Sequence, residues 1–194
     1  MTADAAGRAA WVGVALLLGA CALAGWPLDR TVIDWQPQRA ASEPWRAVSA
    51  VGVHYSGQHL GVNLVGLAIT ALYGFVAHVR LRLAVAWLAA WPLTQAGLLM
   101  RPELAHYGGL SGVLHAGVAA VTLALLLTGT RAQRVIAAAV ATGLIAKLLG
   151  EAPWGPVLRH PPEWDIAVAP LAHTTGALAG TVCSTLVLWL HRAR

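Results

Sequence analysis

The feature that most constrains this chain is a series of long apolar runs separated by short polar segments. A helix needs on the order of 20 apolar residues to cross the hydrocarbon core of a bilayer. Six runs approach or reach that length, at residues 9–26, 57–79, 83–100, 109–130, 135–149 and 166–190. The sequence therefore predicts an all-α membrane protein, with six transmembrane helices in a single domain over residues 1–194.

Composition and charge exclude two other classes of protein. The chain is 58% hydrophobic and 11% charged, whereas soluble domains have roughly 45–50% apolar and about 25% charged residues. The formal net charge is +5, but the basic residues flank the apolar runs instead of forming a patch. Membrane lipids are therefore expected to surround the chain, and nucleic acid is not an expected partner.

The basic residues also predict an orientation. One side of the predicted bundle holds seven arginines and a single acid, Asp4, whereas the other side holds seven acids. The positive-inside rule then places both termini in the cytoplasm. The second, fourth and sixth helices would each begin on the outer side. The seven arginines are Arg8, Arg80, Arg82, Arg131, Arg134, Arg192 and Arg194.

The first apolar run has two features of export signals. Ala22-Leu23-Ala24 resembles a signal-peptidase site, and the segment ending at Cys21 loosely resembles a lipoprotein signal. The run is long and stands before five further spans, so we expect a retained first helix. Cys21 and Cys183 lie in apolar runs without metal-ligand spacing, which favours small buried hydrophobic residues over a metal site or a disulfide. No cofactor is expected.

Two polar loops on the outer side are long enough to have a function. The loop at residues 27–56 contains Trp35 and Trp45, which fits either an interfacial aromatic belt or a functional segment. The loop at residues 150–165 contains four prolines and cannot form a regular helix. It could cap a cavity or merely connect two helices.

Strongly polar residues inside three spans indicate a functional site, because such residues are costly in a bilayer. His59 and Asn63 are four residues apart and share one face of the second helix, just after His54. Ser111 lies near the start of the fourth helix, and the sixth helix carries His173. All of them are predicted at the same depth, in the outer halves of their helices.

This set can provide each role of a serine hydrolase. Ser111 would be the nucleophile and His173 the general base that activates it. His59, Asn63 and a backbone N–H at the start of the fourth helix would stabilise the oxyanion. His115, four residues after Ser111, is a competing base, although we favour an interpretation in which its ring packs against His173.

The same residues resemble the rhomboid family of intramembrane serine proteases. The resemblance includes a Trp-Arg loop motif, two histidines and an asparagine in the second helix, a Gly-x-Ser-Gly nucleophile motif, and the final helix that carries the base. It implies the roles given above for Ser111, His173, His59 and Asn63, and a six-helix rhomboid-like bundle. The matching segments are Glu43-Pro44-Trp45-Arg46, His54, His59-x-x-x-Asn63, Gly109-Leu110-Ser111-Gly112 and Ala172-His173-x-x-Gly176-x-x-x-Gly180.

The compact six-span organisation and the run from Gly109 to His115 are most similar to the rhombosortase branch of that family. This similarity implies a bacterial inner-membrane enzyme whose site opens toward the periplasm. Its substrates would be exported proteins with a C-terminal tail that contains a Gly-Gly motif, a hydrophobic helix and basic residues. The alternatives are a general rhomboid protease, a non-catalytic binder of transmembrane segments, or a small-solute transporter. A substrate helix would reach the site beside a movable helix or beneath the proline-rich loop.

Overall fold

The computed structural model describes residues 3–192, and six long helices account for most of them. All six are long and apolar enough to cross a membrane, which confirms the prediction of a six-helix, multi-pass membrane protein. The third helix continues as a 3-10 turn at Gly97–Met100. The helices are α1 (Ala3–Gly25), α2 (Gly57–Val76), α3 (Leu81–Ala96), α4 (Ser111–Thr128), α5 (Arg131–Gly150) and α6 (Pro170–Arg192).

Several helix ends differ from the predicted boundaries, and capping explains one of them. Helix α5 begins at Arg131 instead of residue 135, because Thr130 and Gln133 form a capping box before the apolar run. Helix α6 begins at Pro170 instead of residue 166. Just before it, Val168 pairs with Arg159 through backbone hydrogen bonds of 2.8 Å. Hydropathy reports how much of a segment is apolar but not where the first helical hydrogen bond forms.

Two tryptophans join four of the helices in the core. The rings of Trp11 on α1 and Trp87 on α3 stack with centroids 4.3 Å apart. The Trp87 indole N–H donates to the Val113 carbonyl of α4 at 2.8 Å, and that of Trp11 donates to the Thr70 carbonyl of α2 at 3.1 Å. Helix α1 is therefore an integral part of the bundle.

Helices α4 and α6 touch backbone to backbone. A Cβ atom at Gly176 would lie 1.9 Å from the Gly112 carbonyl oxygen, and one at Gly180 would lie 2.1 Å from that of Ala116. Only glycine permits such an approach, as in the small-x-x-x-small contacts of membrane helices. This contact holds the first turn of α6, which contains His173, beside the first turn of α4.

The starts of α2, α4 and α6 lie together at one end of the bundle, here called the site end, and a structured loop packs there. In residues 27–56, Arg46 is buried and forms an ion pair with Asp34 at 3.1 Å and another with Glu43. His106 Nδ1 lies 2.6 Å from the second Asp34 carboxylate oxygen. Backbone hydrogen bonds between Trp35 and Tyr107 join this loop to the segment that precedes α4.

Helix α5 packs much less tightly than the others. Among its residues only Ala137 is buried, and its apolar side chains face outward, where lipid would surround them. Its connection to the site is made at its end, through Lys147 and Glu151.

Candidate active site

Ser111 is the first residue of α4, and the backbone before it is shaped by a glycine. Gly109 has φ +126°, and a Cβ atom there would lie 2.8 Å from the His59 ring. Both facts require glycine, whereas the next residue, Leu110, is anchored in the core and fully buried. The Ser111 side chain is half-buried at the helix N-terminus, where backbone N–H groups have no partners within the helix.

The structure brings Ser111 and His173 into hydrogen-bond contact. Ser111 Oγ lies 3.0 Å from His173 Nε2, although 62 positions separate the two residues in the sequence. His173 is 7% exposed. The separation is within the range of a nucleophile and its general base.

A carboxylate sets the tautomer of His173. His173 Nδ1 lies 2.7 Å from Glu151 Oε2, and because a carboxylate accepts hydrogen bonds, the Nδ1 proton points to Glu151. Nε2 is then the unprotonated nitrogen, able to accept the Ser111 hydroxyl proton. Lys147 Nζ lies 2.5 Å from Glu151 Oε1 and 3.3 Å from His173 Nδ1.

Glu151 and Lys147 are not among the residues predicted for the site. One local signal was present, since an acid four residues after a lysine at the end of a membrane helix forms an i,i+4 pair. Their distance from His173 depends on how α5 packs, which that signal does not contain.

His115 supports His173 from the opposite face. The two imidazole rings stack with centroids 4.4 Å apart and planes at 15°. His115 Nδ1 lies 2.6 Å from the Ser111 carbonyl oxygen, which can only accept, so that nitrogen carries the proton. His115 is thus engaged with the backbone and with the ring of His173, not with the Ser111 hydroxyl.

His59 and Asn63 converge on the residue that precedes Leu110. The Tyr55 backbone N–H donates to His59 Nδ1 at 3.3 Å, which places the His59 proton on Nε2. A Cβ atom on Gly109 would lie 2.8 Å from His59 Nε2 and 3.5 Å from Asn63 Nδ2. The Asn63 NH₂ group is buried and has no hydrogen-bond partner within residues 3–192.

His54 lies behind His59 and is almost completely buried. The centroids of the two rings are 4.8 Å apart. Burial lowers the pKa of His54 to about 4, because a buried imidazolium loses its hydration. His54 is therefore a neutral packing partner at physiological pH.

The loop between α5 and α6, residues 151–169, lies over the start of α2. Ser56 donates from its hydroxyl to Asp165 Oδ1 at 2.7 Å, Gln58 donates to the Glu163 carbonyl at 3.0 Å, and Trp164 meets the His59 ring edge-on at 6.5 Å. A cleft opens between this loop and the neighbouring segments. Its lining residues are Tyr55, His106, Leu158, Asp165, Ile166 and Ala167.

Tyr107 is a neighbour of Ser111 that was not predicted as a site residue. Its hydroxyl lies beside Ser111 and Gly112, and burial raises the pKa of this phenol to about 12. The phenol therefore stays protonated at physiological pH.

Among the residues that the structure describes, no group of three or more His, Cys, Asp or Glu side chains could hold a metal ion.

Comparison with protein families decides which family the fold and the site belong to. The sequence model of the Rhomboid domain matches residues 41–190, which is more than half of the chain. The chain belongs to the rhomboid family. Rhomboid proteins are intramembrane serine proteases that act on transmembrane substrates. The matched rhomboid region contains Ser111, His173, His59, Asn63 and Glu151. Searches of curated proteins and of solved structures found no match.

Proposed function

We propose that this rhomboid protein is an intramembrane serine endopeptidase with Ser111 as nucleophile and His173 as general base. The observation that supports it best is the 3.0 Å contact between Ser111 Oγ and His173 Nε2. The contact lies at the starts of two helices that touch through their backbones. A binder without catalytic activity has no need for a serine hydroxyl held at a correctly protonated imidazole, so the contact favours a protease over a binder.

The reaction proceeds in two steps, acylation of Ser111 and hydrolysis of the acyl-enzyme. Ser111 Oγ attacks the peptide carbonyl carbon as its proton passes to His173 Nε2, and the carbonyl oxygen becomes an oxyanion. Collapse of this intermediate breaks the C–N bond, and His173 returns the proton to the leaving amine. Water, deprotonated by His173, then hydrolyses the acyl-enzyme and regenerates Ser111.

Three kinds of donor support the oxyanion in this proposal. They are the Nε2–H of His59, the side-chain NH₂ of Asn63 and the Ser111 backbone N–H at the start of α4. The unpartnered state of the Asn63 NH₂ group among the described residues supports this role, since a buried donor without a partner is costly unless a ligand satisfies it. Gly109 and Leu110 keep the approach to these donors open. His54 packs against His59, and His115 packs against His173.

We propose a bacterial inner-membrane location with the site end toward the periplasm and both termini in the cytoplasm. The basic residues near the opposite end support this orientation, including Arg8, Arg80, Arg82 and Arg131. A site at this end would take its water from the periplasm. The cleft beside Tyr55 and Asp165 is the route that we propose for this water.

For the substrate, we propose a rhombosortase-like specificity. The substrates are exported proteins anchored by a C-terminal tail with a Gly-Gly motif, a hydrophobic helix and basic residues. Glycine near the cleaved bond lowers the cost of unwinding a helix inside the membrane, where backbone groups must keep their hydrogen bonds. The substrate helix reaches the site beside α5, because α5 has a single buried residue and moves at the lowest packing cost.

The test uses the purified protein in liposomes with two reporters. One reporter carries the Gly-Gly, hydrophobic and basic tail, and the other carries a generic transmembrane segment. Ser111→Ala and His173→Ala serve as matched variants whose folds are checked by thermal unfolding. Mass spectrometry of the products should show cleavage of the first reporter by wild type only.

Each other outcome has a defined meaning. Cleavage of the generic reporter alone would contradict the rhombosortase assignment and favour a general rhomboid protease. Cleavage by either folded variant would contradict the dyad. A wild-type protein that binds both reporters and cuts neither would favour a non-catalytic binder.

A further inference from the structure

The end of α5 brings a carboxylate to the candidate base from the side opposite Ser111. Glu151 Oε2 is 2.7 Å from His173 Nδ1, and Glu151 Oε1 is 2.5 Å from Lys147 Nζ. Serine, imidazole and carboxylate thus form a hydrogen-bonded chain across α4, α6 and the end of α5. The last member is not part of the dyad proposed above.

We propose that Glu151 is a positioning residue that makes this site a triad, Ser111–His173–Glu151. It holds the proton of His173 on Nδ1, fixes the plane of the ring and stabilises the imidazolium that forms when Ser111 loses its proton. This inference rests on the proposed function, because it assigns Glu151 a task in the same reaction.

Glu151 is charged at the pH at which the reaction would occur. Burial by itself raises the pKa of this carboxyl, but hydrogen bonds and charge interactions with His173 and Lys147 outweigh it and lower the pKa to about 2. A charged acceptor forms a stronger hydrogen bond than a neutral one. The side chain is 25% exposed, so water screens the interaction only in part.

The presence of Lys147 makes the loss of Glu151 more harmful to the proposed reaction. Its ammonium is 3.3 Å from His173 Nδ1 and can only donate hydrogen bonds. Without Glu151, it would donate to Nδ1, which would move the ring proton to Nε2 and leave no acceptor for the Ser111 hydroxyl. Its positive charge would also oppose formation of the imidazolium. Loss of Glu151 alone should therefore be more harmful than loss of Glu151 and Lys147 together.

The groups that bear on the protonation of His173 come from α2, α4 and the end of α5. Helix α4 contributes the stacked His115 and the Ser111 hydroxyl, and α5 contributes Lys147 with Glu151 at its end. Helix α2 contributes His59, whose charge interaction with His173 acts at longer range. Of these groups, Glu151 alone is an anion.

The experiment measures two rates in the full-length protein in detergent micelles or liposomes. The first is covalent labelling of Ser111 by a fluorophosphonate, which reports nucleophile activation without a substrate. The second is cleavage of the reporter defined above, analysed as kcat and KM over a range of pH. The variants are Glu151→Gln, Lys147→Met and the double variant, and Glu103→Gln is the matched control, since this exposed carboxylate pairs with Arg101 and does not touch His173.

Glu151→Gln should lower the labelling rate and kcat by about 10- to 100-fold, as expected for one charge-assisted hydrogen bond, with KM unchanged. The acid limb of its pH–rate profile should move to lower pH, because an anion next to the base is gone and a cation remains. A merely structural role would not move that limb. The double variant should recover part of the loss, and Glu103→Gln should match wild type.

Three results would overturn the proposal. They are a labelling rate within about twofold of wild type in Glu151→Gln, a double variant no faster than Glu151→Gln, or an unmoved acid limb. If Glu151→Gln alone does not fold, the double variant, which preserves net charge, replaces it in the test. A labelling rate and a kcat equal to wild type in the double variant would then overturn the proposal. A wild-type protein that is neither labelled nor active would contradict the proposed function itself, which is a separate result.

Discussion

The imidazole of His115 lies flat against that of His173, with ring centroids 4.4 Å apart and an angle of 15° between their planes. Together with Glu151 at Nδ1 and Ser111 at Nε2, this contact restricts His173 in every direction that matters for proton transfer. In the proposed reaction, His173 therefore needs no rearrangement to accept the serine proton.

His115→Phe and His115→Ala test whether this ring supports the base or acts as one. Phenylalanine keeps a stacking surface, so His115→Phe should retain most of the cleavage rate. His115→Ala should lose up to about tenfold, which corresponds to one aromatic pair. The measurement is kcat on the transmembrane reporter. If His115→Phe were as inactive as His173→Ala, His115 would have to be the base.

Asn63→Ala tests the oxyanion site. Because the Asn63 NH₂ group has no partner among the described residues, its removal costs the resting protein no hydrogen bond. We expect a fall in kcat of about 10²- to 10³-fold, the usual effect of one oxyanion donor, with little change in thermal stability. Unchanged kcat would exclude Asn63 from the reaction. A large loss of stability would instead indicate a packing role.

Gly176→Ala tests the contact between α4 and α6. The new Cβ atom would lie 1.9 Å from the Gly112 carbonyl oxygen, so the helices must separate and His173 must move away from Ser111. We expect a lower thermal midpoint and a loss of cleavage. Gly143→Ala is the matched control, because a Cβ atom there has nothing within 4 Å, and the change should raise stability by about 0.5–1 kcal/mol. Equal behaviour of the two variants would contradict the contact.

The stability of the protein should decrease as the pH is lowered through the range in which the unfolded chain binds a proton at His54. Its pKa is lowered from the ordinary 6.5 to about 4 by burial, so the unfolded chain binds a proton there that the folded chain does not. The contribution of His54 is complete above pH 6.5 and is lost as the pH falls toward 4. Thermal midpoints of wild type and His54→Phe, measured across this range, should show a shallower slope in the variant. Parallel slopes would contradict this assignment, and the exposed His160→Gln controls for loss of a histidine.

Much of the candidate site could be predicted from spacing alone. His59 and Asn63 share a helical face because they are four residues apart, and Ser111 was expected near the start of the fourth helix. His173 precedes Gly176 and Gly180 in the motif of the final helix. These are local patterns, and the period of a helix converts each of them into a direction in space.

Helix boundaries and the third member of the proposed triad could not be predicted in this way. Thr130 extends α5 by a capping hydrogen bond that a hydropathy profile does not register. Glu151 was counted only as an acid of the outer loop. Its contact with His173 spans 22 residues and requires both the end of α5 and the first turn of α6 to be in place.

The sequence by itself determined the membrane class, the number of helices and the depth shared by the polar residues, because the cost of placing polar groups in lipid acts on each segment separately. Tertiary structure alone decided which of these residues touch. Whether Ser111 meets His173 or His115, and whether Glu151 or Lys147 holds Nδ1, depends on a few ångströms of helix packing. That packing is set by backbone contacts such as the one between Gly176 and Gly112, which join residues far apart in the chain.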